Sequence, residues 1–489
     1  MWKKLIALVC VLILGLAGIL AINTIRYSAA PEPLAAVELP DVDGERIALQ
    51  LSKAVQFKTI SFEQTAQSER PADFQNFVDF LDAEFPNVQA ATEKTMIGEL
   101  TPLYMWPGSD RSLKPVLLTA HYDVVPVANA SPDNWDYPPF AGTIADGQVW
   151  GRGTLDDKGA LIAMMHAAER LIGQGFVPER TIYFSFGHDE EISGKHGAGG
   201  VVKYFEQQGI SLAWTLDEGS MVLQDVIPGL SQDVASINVA EKGYATVDII
   251  ATAAGGHSSL PPRETAVGTL AKAITGLQAA PMPGGLTDTS KDFFDGIGPH
   301  FPLVQRVLFA NQWLFGGVLE SVLSKSAATD AMLRTTIAPT MLSGSSKENV
   351  LPQEAVATVN FRLHPRDTIE GVLEHVHDHV DHTGVQVSLR ENSAAEASGV
   401  SRSDNAAYQL LSQTFSQVFD NVIVVPGLTI AATDSRHYSK IADDSYRINP
   451  FVLRGEDIPQ IHGANERLSI KNMILAVQFY TLLMQNSGA

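Results

Sequence analysis

The chain has 489 residues, of which 45% are hydrophobic and 18% are charged. This composition excludes disorder along the whole chain and leaves room for about three domains. Asp and Glu outnumber Lys and Arg by 55 to 34, and the resulting net charge of −21 excludes general nucleic-acid binding, because a negative protein repels a phosphate backbone. The single cysteine, Cys10, excludes an internal disulfide and a Cys-rich zinc site. Any bound metal must therefore be held by histidines and carboxylates.

Residues 1–30 are predicted to be a membrane anchor or a signal segment. Lys3 and Lys4 precede an unbroken apolar run from Leu5 to Ile22, which as a helix would span ~27 Å, close to the ~30 Å of a bilayer's hydrocarbon core. The flanking basic residues favour an N-terminus in the cytoplasm. An uncleaved anchor is the favoured interpretation, and cleavage near Ser28-Ala29-Ala30 is the alternative. Either way we expect the rest of the protein outside the cytoplasm, membrane-anchored or, after cleavage, secreted.

The remaining chain alternates short apolar runs with amphipathic segments, which predicts an α/β fold. Strands are predicted at 116–120, 181–186 and 212–216, with a helix over 158–173. Polar residues follow each strand, at His121, at 187–190 and at 217–218. Because ligands bind at the carboxyl ends of strands in open α/β sheets, we expect a functional site there.

Changes in composition and in the hydrophobic pattern predict the domain boundaries. An Ala- and Pro-rich tether covers 31–44, and the catalytic domain covers 45–240 and 394–489. A second, α+β domain is inserted at 241–393, where β-like stretches at 244–252, 355–363 and 385–389 accompany a helical segment at 369–382. Within it, 292–342 is aromatic-rich and partly helical. Three roles stay open for this segment: covering a binding site, touching the membrane, or adding to the core.

Potential metal ligands cluster in five places along the chain. They are His121, Asp156-Asp157, Glu190-Glu191, Asp217-Glu218 and, far away, His462. Histidines and carboxylates without thiols are the donor set of a hydrolytic zinc site. Two ions would need one bridging carboxylate and two further ligands each, and a separate carboxylate would take the proton of the attacking water. These positions provide enough residues for such a centre.

The sequence resembles the di-zinc aminoacylase and Gly-Xaa carboxypeptidase family, especially its N-acyl-amino-acid hydrolase branch, from about residue 45 to the C-terminus. The most specific stretches are 120–126, 135–159, 188–194, 216–219 and 427–438. The resemblance implies a zinc-hydrolase catalytic domain with a mixed central sheet flanked by helices. It also implies an inserted lid and dimerisation domain. Two Zn²⁺ ions per chain are expected, with Co²⁺ or Mn²⁺ as substitutes.

The resemblance assigns the residues of the centre one by one. His121, Asp156, Glu191, Glu218 and His462 match the metal ligands, with Asp156 as the bridge. Glu190 matches the general base, and Asp123 matches the residue that orients the His121 ring. Two alternatives stay open: Asp217 in place of Glu218, and Asp157 in place of Asp156.

The inserted domain carries further matches. His257 matches a lid histidine that in dimeric relatives reaches into the partner subunit's site and stabilises the oxyanion; the alternative is a turn histidine that caps local backbone. Asn349 matches a polar lid residue proposed to help there. Arg362 matches a lid arginine that binds the substrate's free carboxylate, a group that suits the planar guanidinium. Arg436 is a further candidate for the pocket, and a structural ion pair explains it equally well.

The sequence therefore predicts a di-zinc metallo-carboxypeptidase or amidohydrolase. Its substrate would be an N-acyl amino acid or a short peptide with a free carboxylate, and its partners would be the membrane and a second copy of the chain. A dipeptidase of the same family is the alternative, because the aromatic insert around Phe293, Phe294, Phe309, Trp313 and Phe315 only weakly favours an apolar acyl pocket. A non-catalytic anchored binding protein is the alternative from another class, which retention of Glu190 disfavours.

Overall fold

The computed structural model describes residues 2–28, 37–62, 71–127, 134–380 and 385–487. The first six residues of the tether predicted at 31–44, the end of the predicted cleavage site and the last two residues of the helix predicted at 369–382 lie outside the described residues.

The elements alternate along the chain as the composition predicts. Helices α1 to α15 cover Trp2–Arg26, Gly44–Val55, Pro71–Glu84, Pro86–Ala91, Lys158–Gly173, Ala198–Gln208, Ala266–Ala279, Asp288–Ile297, Leu303–Ala310, Gln312–Leu323, Ala327–Leu333, Ile369–His379, Ala406–Val418, Ser435–Tyr438 and Ile470–Asn486. Strands β1 to β19 cover Glu93–Ile97, Thr101–Trp106, Val116–His121, Thr143–Ala145, Gln148–Trp150, Ile182–Gly187, Leu212–Asp217, Val222–Leu223, Asp233–Glu241, Gly243–Thr252, Gly256–His257, Thr336–Ser343, Val350–Leu351, Glu354–Leu363, Val385–Ala395, Val422–Thr429, Ala442–Arg447, Val452–Leu453 and Arg467–Ser469.

A mixed sheet forms the centre of the larger body. Its strand order is β1-β2-β6-β3-β7-β17-β9-β8-β18, with β16 paired to β9. Strands β6, β3, β7 and β17 run parallel, whereas β1, β2, β8 and β9 introduce antiparallel pairs. Strands β3 and β6 are buried at every residue, as expected of parallel strands covered on both faces. The α/β prediction with a mixed sheet is confirmed.

The predicted strands and helix around the site are present within one residue at each end. Helix α5 is buried along most of its length between the sheet and helix α15. The carboxyl ends of β3, β6 and β7 meet at one edge of the sheet because these strands are parallel neighbours. His121 is the last residue of β3 and Asp217 is the last residue of β7. The residue types that can bind metal therefore converge on this edge.

A second sheet of four antiparallel strands has the order β12-β14-β10-β15. Strand β10 alternates buried and partly exposed residues, so one face of the sheet is covered. Helices α7 and α12 cover that face, and residues of these elements form a hydrophobic core separate from that of the main sheet. These elements occupy the stretch predicted to be inserted, and the role of this unit as a lid stays a prediction.

Most of the aromatic segment lies outside the second sheet and its core. Phe293, Phe294 and Phe309 pack with Val425 of the edge strand β16. Helix α8 lies so close to this strand that a Cβ on Gly296 would come within 2.3 Å of Val425. The segment thus adds a core at the edge of the main sheet, one of the three roles left open. Its last residues, from Thr336, form strand β12 rather than a continuation of the helices.

Helix α1 is the one element of the described residues that is long and apolar enough to cross a membrane, with a mean hydropathy of 3.1 over its most apolar window. Nearly all of it projects from the body. Its C-terminal end contacts helix α9 and Asn311, the residue between α9 and α10.

Candidate metal centre and active site

Two groups of metal-binding side chains meet at the edge of the main sheet and share one residue. His121, Asp156 and Glu218 form the first group, and Asp156, Glu191 and His462 form the second. His121 Nε2 lies 2.9 Å from Asp156 Oδ1, and His462 Nε2 lies 2.9 Å from Asp156 Oδ2. Asp156 therefore presents one oxygen to each group, which is the arrangement that a carboxylate bridging two ions requires.

In each group, the third residue lies close to the histidine of that group. Glu218 Oε1 lies 3.4 Å from His121 Nε2, and Glu191 Oε2 lies 3.3 Å from His462 Nε2. The five ligands predicted from the sequence are thus brought together by four different strand-end loops and by the segment before β19. His462 adopts a left-handed backbone conformation with φ of 58°, which sets the direction of its imidazole toward Asp156.

Electrostatics show that this cluster has a surplus of negative charge. Burial and the neighbouring Asp156 raise the pKa of Glu191 and of Glu218 to about 7. Hydrogen bonds to Asp156 and Glu191 raise the pKa of His462 to about 10. Burial opposes charge on His121, but its contacts with Asp123, Asp156 and Glu218 outweigh burial and raise its pKa well above the usual range. In addition, Glu191 Oε1 is buried without a hydrogen-bond partner among the described residues. Bound cations would relieve this charge and satisfy that oxygen, so the residues fit a two-metal centre.

Asp123 positions residues of both metal groups through hydrogen bonds of its backbone carbonyl and of its carboxylate. Its backbone carbonyl accepts a hydrogen bond from His121 Nδ1 at 3.0 Å. Because a carbonyl can only accept, Nδ1 carries the proton and Nε2 is left free to bind metal. Its carboxylate accepts hydrogen bonds from the backbone N–H groups of Glu190 and Glu191, each at 3.2 Å. Asp123 therefore orients a histidine of one group and positions the turn that carries a ligand of the other.

Glu190 lines the same cavity beside these groups but belongs to neither. It begins a short 3₁₀ turn directly after β6. Burial raises the pKa of Glu190 well above its usual range. A carboxylate with a raised pKa next to a metal centre is suited to accepting and returning a proton.

The two sequence alternatives point away from the metal groups. Asp157 Oδ1 accepts a hydrogen bond from Asn449 at 2.8 Å, and Asp217 Oδ1 accepts one from the backbone N–H of Glu218 at 2.9 Å. Both residues are buried. Asp217 thus positions the loop that carries Glu218 rather than joining the group itself.

The sequence reasoning missed a buried ion pair that braces two of the ligand loops. Glu466 Oε2 pairs with Arg152 Nη1 at 2.6 Å, while Glu466 Oε1 accepts from the backbone N–H groups of Gly153, Leu155 and Asp156. Arg152 Nη2 donates to the carbonyls of His462 and Gly463 at 3.0 Å each. In the sequence, the one signal for this role of Glu466 is its position four residues after His462.

A cavity of about 1010 Å³ opens over the metal groups. One part of its wall is polar and includes Tyr244, Arg362 and Arg436. Another part is apolar, with side chains contributed by Met221, Leu223, Leu453, Ile458 and Ile461. A ligand with one anionic end and one apolar end therefore finds both kinds of surface beside the metal centre.

The two cavity arginines have no carboxylate partner in the described part of the chain. Burial lowers the pKa of Arg362, and the neighbouring Arg436 lowers it further. The structural ion pair considered for Arg436 is absent from the described residues. Two unpaired guanidinium groups facing a cavity are suited to binding an anion.

His257 and Asn349, which the sequence predicts to be lid residues, do not line this cavity. His257 is exposed on β11, and its Nδ1 is bonded to Ser259 Oγ at 2.8 Å. Asn349 lies on the facing segment, where its carbonyl accepts from the N–H of Ser258 and its side-chain oxygen is buried without a partner among the described residues. Within one chain, the structure brings neither residue to the metal groups.

The aromatic residues that weakly favoured an acyl pocket are also outside the cavity. Phe293, Phe294 and Phe309 are buried in the core beside β16, and Trp313 is 63% exposed on helix α10. The prediction that these residues contribute to an acyl pocket is wrong, because none of them lines the cavity and the three phenylalanines pack beside β16 instead. The apolar wall is built instead from residues near β8, β18 and the segment before His462.

The fold and the two candidate metal groups together indicate a metal-dependent hydrolase of the α/β class. Comparison with known proteins identifies the family: residues 117–486 match the model for peptidase family M20/M25/M40, and the chain belongs to this family. The protein is therefore a metallopeptidase-type enzyme, as the sequence predicted.

Curated relatives match along nearly the whole chain. A Dictyostelium discoideum protein described as probable carboxypeptidase S-like 2 is 40% identical, covering 97% of this chain and 93% of the relative. The Xenopus tropicalis N-fatty-acyl-amino acid synthase/hydrolase PM20D1 is 37% identical, covering 99% and 96%. Among solved structures, human carnosine dipeptidase 1 superimposes with a TM-score of 0.64 at 15% identity, covering 91% and 96%, which shows a shared fold.

Proposed function

We propose that this protein is a di-zinc amidohydrolase that cleaves N-acyl amino acids and releases an amino acid with a free carboxylate. The observation that carries the proposal is the cavity, which joins the metal groups to two unpaired arginines and to an apolar wall. Relatives at 37% identity are named for N-fatty-acyl amino acids, and carboxypeptidase S is a more distant relative at 28% identity. An acyl group on the apolar wall and a carboxylate at the arginines would place the amide bond over the centre.

Each residue has a role in this proposal. His121 and Glu218 would hold one Zn²⁺, Glu191 and His462 the other, with Asp156 between them; Co²⁺ or Mn²⁺ would suit the same donors. When bound, the ions would polarise the scissile carbonyl and lower the pKa of the attacking water. Glu190 takes the proton of that water and returns it to the leaving amine. Arg362, helped by Arg436, binds the carboxylate bidentately and fixes the amide bond over the centre.

A dipeptidase activity is the second candidate, and the cavity disfavours it. A dipeptidase needs an anionic group to hold the free α-amine of its substrate. Among the described residues that line the cavity, the carboxylates are Asp156, Glu190, Glu191 and Glu218, all at the metal centre. Among these described residues, no carboxylate lies on the apolar wall, where it could bind the ammonium group of a dipeptide.

We further propose that the second domain is a lid and that two copies of the chain complete each other's sites. His257 and Asn349 are exposed or unpartnered in one chain and lie outside its own cavity. Strand β12 is an edge strand of the second sheet and exposes Met341 and Leu342. An apolar edge of this kind favours pairing with another chain. In the dimer, His257 of the partner subunit would stabilise the oxyanion.

Helix α1 is proposed to anchor the enzyme in a membrane with the catalytic domain outside the cytoplasm. Its length and hydropathy suit a membrane span, and its apolar residues have no protein partner over most of its length. The basic residues Lys3 and Lys4 precede it, which favours a cytoplasmic N-terminus.

The substrate proposal is tested with the zinc-loaded full-length protein and a panel of N-acyl amino acids of increasing acyl length, alongside dipeptides. Amine release is measured for each compound. We expect kcat/KM to rise with acyl length and to be lowest for dipeptides, because only the acyl compounds fill the apolar wall. A preference for dipeptides over every acyl amino acid would contradict the proposal.

A further inference from the structure

Helix α10 carries apolar residues on its outer face. Leu314, Val318 and Val322 follow at intervals of four residues and are each 43% to 53% exposed, with Trp313 beside them. The opposite side of the helix is also apolar, since Leu319 is buried in the core beside β16. Helices on the surface of a soluble protein normally have a polar outer face. Leu303 and Val304, at the start of the preceding helix α9, are exposed apolar residues as well.

The exposed apolar face of α10 begins two residues after Asn311, which contacts helix α1. Asn311, fully buried between α9 and α10, accepts a hydrogen bond from Asn23 Nδ2 at 2.9 Å, and its Nδ2 lies within 3.5 Å of the Leu20 carbonyl and of Thr24 Oγ1. Leu20, Asn23, Thr24 and Tyr27 have the spacing of one helix face, and among the described residues of α1 they are the ones shielded by the body.

Tyr27 extends the contact to helix α8. Its hydroxyl group donates to the carbonyl of Asp295 at 3.2 Å. A Cβ on Gly298 would lie 2.3 Å from the same hydroxyl, so only glycine permits this approach. The end of α1 is thus seated on the aromatic segment by several specific contacts, which fixes the position of α10 relative to α1.

The level of this contact along α1 places the surface at a membrane boundary. The apolar run of α1 ends at Ile22, and Leu20 lies two residues before that end, or ~3 Å along the helix axis. Asn311 is bonded at that level, and helix α10 begins at the next residue. Trp313 is the second residue of α10 and therefore lies near this level, and tryptophan is enriched at the interface between headgroups and acyl chains.

We propose that helices α9 and α10 form a second membrane contact, in which their exposed apolar face is seated in the leaflet beside the C-terminal end of α1. The inference rests on the proposed anchoring by α1. Two attachments hold the catalytic domain in one orientation on the bilayer, because a single helix joined to a tether leaves the domain free to rotate. The occupant of the apolar face is lipid.

The proposal is tested with nitroxide labels on the full chain in phosphatidylcholine vesicles. The wild-type chain is labelled at Cys10, its single cysteine. A second protein carries Cys10→Ser with Val318→Cys. The control carries Cys10→Ser with Val177→Cys, at a residue that is 58% exposed on the main body after helix α5. Collision with a water-soluble nickel chelate and with oxygen, which partitions into lipid, reports the surroundings of each label.

We expect the labels at Cys10 and Val318 to be protected from nickel and open to oxygen, and the label at Val177 to be open to nickel. A Val318 label as open to nickel as the Val177 label, with Cys10 protected, overturns the membrane contact and leaves the anchor standing. A Cys10 label open to nickel overturns the anchor and the second contact with it. Protection of Val318 accompanied by spin–spin broadening between labels of two chains shows a protein occupant and overturns the lipid proposal.

Discussion

In two of the three acidic pairs near the metal groups, the neighbouring residues have opposite surroundings, whereas Glu190 and Glu191 both line the cavity. Asp156 faces both histidines of the centre, whereas Asp157 turns into the core toward Asn449. Glu218 faces His121, whereas Asp217 bonds to the backbone beneath it. Consecutive side chains leave the backbone in different directions, so one residue of each pair faces the cavity and the other braces it.

Replacing Glu190 tests the proton-transfer step. Glu190→Gln keeps all five proposed ligands, so metal content should stay near that of wild type, whereas kcat should fall at least ~100-fold, the usual cost of losing acid–base catalysis. Glu206→Gln, at an exposed position of helix α6, is the matched control and should be unaffected. Steady-state kinetics with elemental analysis measures both quantities. A variant that keeps more than about a tenth of wild-type kcat would remove the role from Glu190.

Replacing His462 tests the second metal group. His462→Ala removes one of three ligands of the group that also contains Asp156 and Glu191. We expect the zinc content to fall toward one ion per chain, since the group of His121 and Glu218 stays intact. Elemental analysis of the purified variant gives the stoichiometry. Two tightly bound ions in the variant would exclude His462 from the centre.

Replacing Arg362 tests carboxylate binding. Wild type should hydrolyse a substrate at least ~100-fold better than its amide analogue, because the analogue leaves a desolvated guanidinium unpaired. In Arg362→Ala the two compounds should become about equally poor substrates. The ratio of their kcat/KM values is the measurement, and Arg390→Ala, whose guanidinium is paired with Asp248, is the control. A ratio unchanged from wild type would assign carboxylate binding to Arg436.

At the level of structural elements, a buried ion pair connects two of the loops that carry the candidate metal ligands. The loop before α5 carries Asp156, and the segment before β19 carries His462. Glu466 and Arg152 connect the two loops through charge-assisted hydrogen bonds. Because the bridging ligand and a terminal ligand share this brace, a change in it should affect both ions.

The brace is tested by Glu466→Gln. The amide would place a donor against either Arg152 or the converging N–H groups, so one of these interactions is lost. We expect zinc affinity to fall ~10- to 100-fold, measured by competition with a chelator. Glu241→Gln, in the other buried pair of this kind, with Arg447 at 2.9 Å, is the control for lost stability. Equal loss of zinc affinity in both variants would mean general destabilisation rather than loop positioning.

At the scale of the whole molecule, one chain contains both candidate metal groups and the cavity beside them, whereas His257, the proposed lid histidine, does not line that cavity. His257 lies in a separate two-stranded sheet, β11-β13, where it pairs with Val350. A two-fold dimer would let each lid serve the other chain's cavity.

Mixed dimers test this arrangement. Glu190→Gln and His257→Ala should each be nearly inactive alone. Co-expressed chains carrying different tags should recover roughly a quarter of wild-type activity, because half of the random two-fold dimers are mixed and each mixed dimer has one complete site. Activity is measured on the co-expressed pool and on the two variants mixed only after purification. A co-expressed pool no more active than the sum of the separate variants would place the functional His257 within its own chain.

The sequence by itself determined the strands that end at the centre, the order of its donor residues and the family, because these depend on local hydrophobic pattern and on short motifs. It also indicated the apolar N-terminal helix from length and composition. Only the tertiary structure decided that Glu466 reaches Arg152, that the aromatic segment packs on β16 instead of lining the cavity, and that His257 lies away from its own chain's metal groups. The physical reason is that each of these facts depends on contacts between segments far apart in the chain. Their packing is decided by how whole surfaces fit together, and no periodicity within one segment records that fit.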